Sequence, residues 1–191
     1  AKSAATLICF GASRIHMSST AELGPVDPQV KYKSETGENV WIAADEYVKS
    51  YQQLMEKATS GGVERIEPFL QQLQRYDARY IEQLLSAQEL SESISIKLLK
   101  TGMMSNLTEK KIKEKISAFL VHKETKSHGR MITMDEAKRY GLKIKEIMLR
   151  SVLWNLIWEL FIRADWVVTQ RARKIIESNT SSIIVPLEPR S

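Results

Sequence analysis

The sequence predicts a helix-rich α/β protein with short strands. Three observations carry that reading. Apolar residues recur at helical spacing from 45 to the Gly61-Gly62 break and through 64–75, 77–101 and 108–120. Short apolar runs at 14–18 and 181–186 read as strands. The Gly24-Pro25 and Asp27-Pro28 steps impose extended geometry on the residue before each proline.

Taken in order, residues 4–12 are uncharged and apolar on nearly every face, so they predict a short helix surrounded by protein. Ser3 stands at its mouth, and Gly11-Ala12 end it. Arg14–Ser18 predicts a strand. Leu23–Val30 predicts an ordered turn or strand edge, and the polar stretch 31–43, with Gly37, predicts a loop. From residue 45, Tyr47, Val48, Tyr51, Leu54 and Met55 form one stripe, which Gly61-Gly62 breaks. A helix at 64–75 carries Pro68 near its start, where proline is tolerated. Asp77 caps a long helix to about residue 101, with Ile81, Leu84, Leu85, Ile94 and Leu98 inward. Thr108 caps another to about residue 120. Thr133 with Glu136 three residues later makes a capping box. Gly141 supplies the left-handed residue that ends that helix, with Leu142 as its apolar contact. A long helix over 146–178 and a strand at 181–186 complete the chain.

Bulk properties exclude several function classes. The chain has 191 residues, 43% hydrophobic, and a net charge of +5. Acids and bases alternate, as in Glu109–Lys115, which reads as a solvated helix face and not a nucleic-acid footprint. The single cysteine, Cys9, lies in an apolar run, which predicts a packed, inert thiol and a reducing compartment. The most apolar segment, Ser151–Trp158, is flanked by Arg150, Glu159, Arg163 and Asp165, and falls short of the roughly 20 apolar residues of a membrane span. His16, His122 and Cys9 offer no metal-ligand spacing, and no cofactor is implied.

The order of these segments resembles a known family. The residues that carry the resemblance are Lys2-Ser3-Ala4-Ala5-Thr6-Leu7-Ile8, Glu22-Leu23-Gly24-Pro25-Val26-Asp27-Pro28-Gln29, Ser127-His128-Gly129, Ile132-Thr133-x-x-Glu136-Ala137-x-x-x-Gly141-Leu142 and the stretch 176–184. They resemble the serine dehydrogenase proteinases. These are ClpP-class peptidases of the ClpP/crotonase fold, related to signal peptide peptidase A.

The resemblance implies three segments. Residues 1–43 would be part of the core from the nucleophile helix onward. Residues 44–121 would be a helical insertion, and 122–191 a core return with a C-terminal helix and strand. It implies that the strands bearing the glycine-rich oxyanion hole, and any membrane anchor, precede Ala1. Residues 1–191 alone would then be inactive or nearly so. It also implies a protein or peptide substrate, a homo-oligomer, and a location in the cytoplasm or on the cytoplasmic side of a membrane.

Ser3 would be the nucleophile, placed where a helix start favours developing negative charge. Ala5 departs from the glycine many relatives carry. No histidine accompanies Asp27, so the ClpP-style base is absent. Lys49, on the polar side of its helix, would be the base of a Ser–Lys dyad once desolvated. His128 and Asp27 would support the site, and Ala4, Gly24, Asp27 and Gln29 would line the substrate. Two other readings stay open: an inactive relative serving as an interaction module, and a crotonase-type enzyme acting on acyl-thioesters. Without the resemblance Ser3 is an ordinary helix cap, Lys49 an exposed lysine and His128 a loop histidine.

Overall fold

The computed structural model describes residues 1–33, 37–60, 66–120 and 130–187. The chain is mixed α/β and helix-rich, with its short strands paired two by two. It divides into two compact units, residues 1–145 and 146–191.

The first unit opens with α1 (Ala4–Phe10), β1 (Ile15–Met17) and β2 (Glu22–Leu23). A hairpin follows, β3 (Gln29–Lys33) and β4 (Asn39–Ala43), with Val30 opposite Ile42 and Tyr32 opposite Val40. The segment 31–43 is therefore a hairpin and not the predicted loop. Gly37, at φ 85°, lies in its connection. Helices α2 (Ala44–Thr59), α3 (Glu67–Leu73), α4 (Ala78–Thr101), α5 (Glu109–Lys115) and α6 (Ser117–Leu120) come next. The predicted helix over 108–120 is thus two helices with Ile116 between them. Strand β5 (Ile132–Thr133), α7 (Met134–Arg139) and β6 (Ile144–Glu146) close the unit, β6 beside β1.

The main core joins α1, β1, β2, the end of α4, and α5 to α7. Phe10, Leu99, Ile112, Ile116, Phe119 and Ile132 are fully buried there. Phe119 sits between Phe10 and Tyr140, edge-on to both, with ring centroids 5.2 and 5.7 Å away. A second cluster holds Val30, Ala44, Val48, Ile81 and Leu84, rimmed by tyrosines. In α4, Ile81 and Leu84 are buried as predicted, while Ile94 is exposed and its neighbour Ser95 is buried instead. The Ser95 hydroxyl donates to the Ser91 carbonyl, and Ser91 to the Val26 carbonyl, both at 2.7 Å. Two small hydroxyl residues thus let the Val26 backbone come close to the helix.

Local capping follows the sequence. Asp77 accepts from the Arg79 N–H, Thr108 from Lys111, and Thr133 and Glu136 exchange both bonds of a capping box. Glu136 also pairs with Arg130 at 2.6 Å. The bond from the Thr133 N–H, with Arg130 adding to it, holds the Glu136 carboxyl below its ordinary range. Gly141 adopts φ 86°.

In the second unit, α8 (Val152–Gln170) is capped by Ser151 and followed by an antiparallel hairpin, β7 (Ala172–Glu177) and β8 (Ser182–Pro186). The predicted helix over 146–178 is therefore shorter at both ends, and its last quarter is strand. Ser178 makes the turn, accepting from the N–H groups of Thr180 and Ser181. No residue of α8 is buried. Trp154, Trp158 and Phe161 stack along it with centroids 5.5 Å apart, and Arg171 lies over Trp166. Among the described residues no helix is long and apolar enough to cross a membrane.

Candidate active site

Residues 1–3 run alongside residues 22–25. The Ala1 ammonium donates to the Glu22 carbonyl at 2.7 Å, the Gly24 N–H to the Ala1 carbonyl at 2.7 Å, and the Ser3 N–H to the Pro25 carbonyl at 3.0 Å. Lys2 pairs with Glu22 at 2.8 Å. Gly24 permits this approach: a Cβ there would meet Lys2 Cγ at 2.8 Å and its Cα at 3.2 Å.

From this pairing the chain turns into α1 through Ser3, at φ 52° and ψ −122°. Among the described non-glycine residues only Arg150, in the other unit, shares a positive φ. Such backbone costs about 1–3 kcal/mol and persists only where neighbours enforce it. Here the enforcing bonds are those to Glu22, Gly24 and Pro25, with Thr6. The buried Thr6 hydroxyl lies 3.0 Å from the Ala1 carbonyl and 2.9 Å from that of Gly24. Ser3 holds the N-cap position but makes no side-chain cap bond, unlike Ser151, Thr133, Thr108 and Asp77. Its hydroxyl is left available beside a bare face of α1: Ala4 and Ala5 are exposed, and Ile8 is 78% exposed. The helix expected to be enclosed is covered on its Thr6 and Phe10 side only. The Ala5 methyl therefore faces open space.

Asp27 lies two residues beyond Pro25 and is buried, 2% exposed. Gln29 is exposed and opens β3 opposite Ala43. Ser3, Ala4 and Gly24 are thus brought together, with Asp27 and Gln29 continuing the same extended segment. Lys49 belongs to the other cluster. It sits on α2, which packs on α3, α4 and β4, whereas α1 packs on α4. Its ammonium is bonded to Asp45, one turn back on the same helix. His128 and His122 lie outside the described residues, and His16 is on the exposed side of β1.

Cys9 is half-buried, and that burial pushes its thiol above the ordinary value, with the terminal ammonium offsetting part of the effect. Among the described residues no cluster of His, Cys, Asp and Glu is arranged to hold a metal ion. Two polar residues here escaped the sequence reading, Thr6 and Ser91. Thr6 had a signal: it is the polar residue in an otherwise apolar helix.

No family model matches the chain, and neither does any curated protein or solved structure.

Proposed function

We propose that this chain carries the nucleophile of a serine peptidase, and that its first unit is the C-terminal part of a ClpP/crotonase-like fold. The observation that carries this reading is the backbone of Ser3. A strained serine on a sharp turn into a helix, its hydroxyl uncommitted, is the arrangement that aims a nucleophile outward at a nucleophile elbow. A residue used only as a cap gains nothing from the strain.

In the reaction, Ser3 Oγ attacks the peptide carbonyl carbon, and its proton passes to a base. The amine leaves with that proton, and water hydrolyses the acyl-enzyme. Ala4 follows the nucleophile as the first residue of α1. Its N–H is among the donors that a helix start leaves without an intrahelical acceptor, so it contributes to an oxyanion hole. Gln29, which is exposed, would flank the substrate backbone, with Gly24 and Asp27 buried in the segment that supports it. For the base there are two candidates: Lys49, which would have to leave Asp45 and also lose its proton before it could accept one, and His128.

The test is labelling by a fluorophosphonate probe in the protein as its gene encodes it, with the adduct located by mass spectrometry. The expected adduct is on Ser3, is lost in Ser3→Ala and is slowed in Lys49→Ala. Absence of a Ser3 adduct in the encoded protein overturns the reading. The Lys49–Asp45 pair favours a second reading, an interaction module without catalysis, which that same absence would select.

The assembly is a homo-oligomer built through the second unit. Trp158, Phe161 and Trp166 are each about half exposed, as are Leu153, Leu156 and Leu160. With about 150–250 Å² for a buried aromatic, these side chains, spread around the helix, offer several hundred Å², the order of one side of a standard interface of about 800 Å². Sedimentation equilibrium should find a self-associated species that Leu156→Glu dissociates; a monomer at all concentrations refutes it. The single cysteine, Cys9, supports a reducing compartment, the cytoplasm or the cytoplasmic side of a membrane.

A further inference from the structure

A cleft of about 590 Å³ opens between the β3–β4 hairpin, α2 and α3, in the second cluster of the first unit. That volume lies within the range of ligand sites, about 300–1,000 Å³. Its aromatic wall is Tyr32, Tyr47 and Tyr76, and its polar groups include Ser50, Gln71, Gln72 and Arg75.

The wall is held in place. Tyr47 packs on Tyr76, Tyr80 and Tyr32 with centroids 5.0, 5.7 and 6.3 Å away, and Tyr51 packs on Tyr76 at 5.6 Å. The Tyr76 and Ser50 hydroxyls share a bond of 2.9 Å. Rings fixed before binding lose little freedom when a ligand arrives.

The lining also defines what fits. Among the described residues it presents aromatic faces together with amide, guanidinium and hydroxyl donors, and no carboxylate. A cationic ligand would find no counter-charge among those lining residues. Among the described lining residues a nucleic acid would find one cation, Arg75, where phosphate recognition uses several. A polyproline II segment matches both features. It has no internal hydrogen bonds, so its carbonyls need donors, and its rings offer flat apolar faces every three residues, about 9 Å apart. Proline brings no N–H, so a cleft rich in donors is complementary to it. We propose that this cleft binds a proline-rich polypeptide segment in the polyproline II conformation, at a site separate from Ser3.

Fluorescence anisotropy with a labelled decaproline tests this. Saturable binding is expected, with a Gly/Ser decapeptide at least tenfold weaker and a labelled ten-nucleotide oligothymidine not bound. Gln71→Ala and Tyr32→Ala should each weaken decaproline binding at least fivefold with the far-UV circular dichroism unchanged. Should Tyr32→Ala lose structure, the exposed Gln71 decides. Ser3→Ala should bind as the parent does, which keeps this result independent of the peptidase reading. Equal binding of the Gly/Ser peptide, binding of the oligonucleotide, no binding of decaproline, or indifference to Gln71→Ala each overturns the proposal.

Discussion

Two helices of the first unit begin in opposite ways, although a hydroxyl residue stands at each start. Helix α7 opens on Thr133, whose side chain accepts from the Glu136 N–H while Glu136 returns the bond. Helix α1 opens on Ser3, which takes a left-handed backbone and caps nothing. Both helices feed the same core through Phe119, so differences in burial do not explain the contrast. What differs is the origin of the constraint. At α7 it is local, three residues long, and lowers the free energy of the helix end. At α1 it comes from residues 22–25, and it holds Ser3 in a conformation that costs free energy and leaves its hydroxyl unused.

The largest expected effect removes what the two starts share. Phe119→Ala deletes the ring between Phe10 and Tyr140 and should cost about 3–5 kcal/mol in urea unfolding. A loss under 1 kcal/mol would mean that the two helices do not depend on one core. Next, Thr133→Ala breaks the capping box and should cost about 1 kcal/mol. Ser3→Gly should do the reverse and stabilise by about 1 kcal/mol, the relieved strain of about 1–3 kcal/mol exceeding the entropy of a new glycine, about 0.5–1 kcal/mol. Ser3→Ala, which keeps the Cβ and the strain, should stay within about 0.5 kcal/mol of the parent. Thermal melts of this pair sharpen the contrast: a Ser3→Gly chain no more stable than Ser3→Ala would remove the strain argument.

The smallest effect is one of pH. The Glu136 carboxyl is held below its ordinary range, so the folded state binds its proton less readily than the unfolded state. Its stabilisation is complete above the ordinary glutamate value, about 4.3, and is lost as pH falls below that toward the folded value. The difference in stability between the parent and Glu136→Gln should therefore shrink between pH 5 and about 3, because the uncharged variant lacks this dependence. A constant difference over that range would exclude the assignment.

The contrast also marks what was legible in the sequence. The caps at Asp77, Thr108 and Thr133 were readable because each bond spans two or three residues. The backbone of Ser3 was not, because residues some twenty positions away impose it. The segment 31–43 read as a loop because Lys31 and Asn39 are polar, while the partner of Ile42 on the inner side, Val30, lies outside that segment and local spacing does not reveal the pairing. The last helix read too long for a related reason. Neither glycine nor proline follows Gln170, and the true signal, the serine turn at 178–181, lies beyond the strand it creates. Of the candidate residues, Ser3, Ala4 and Gly24 lie where residues 1–3 pair with 22–25, whereas Lys49 is engaged with Asp45.

The pairing of β2 with β5 sets Glu22 against Thr133 and Leu23 against Ile132. The whole stretch from Gly24 to Met131 lies between these two strands. Each strand is two residues long, so the ladder alone cannot offset the entropy of closing so large a loop, which rises by about 0.6 kcal/mol with each doubling of length. The order of events in folding follows from this. The helices between must first bring the ends together, and the segment that bends Ser3 is locked only when the last non-local contacts form. The strained turn therefore belongs to the late, slow part of the folding reaction, and a chain interrupted between α4 and β5 would lose the geometry of its serine.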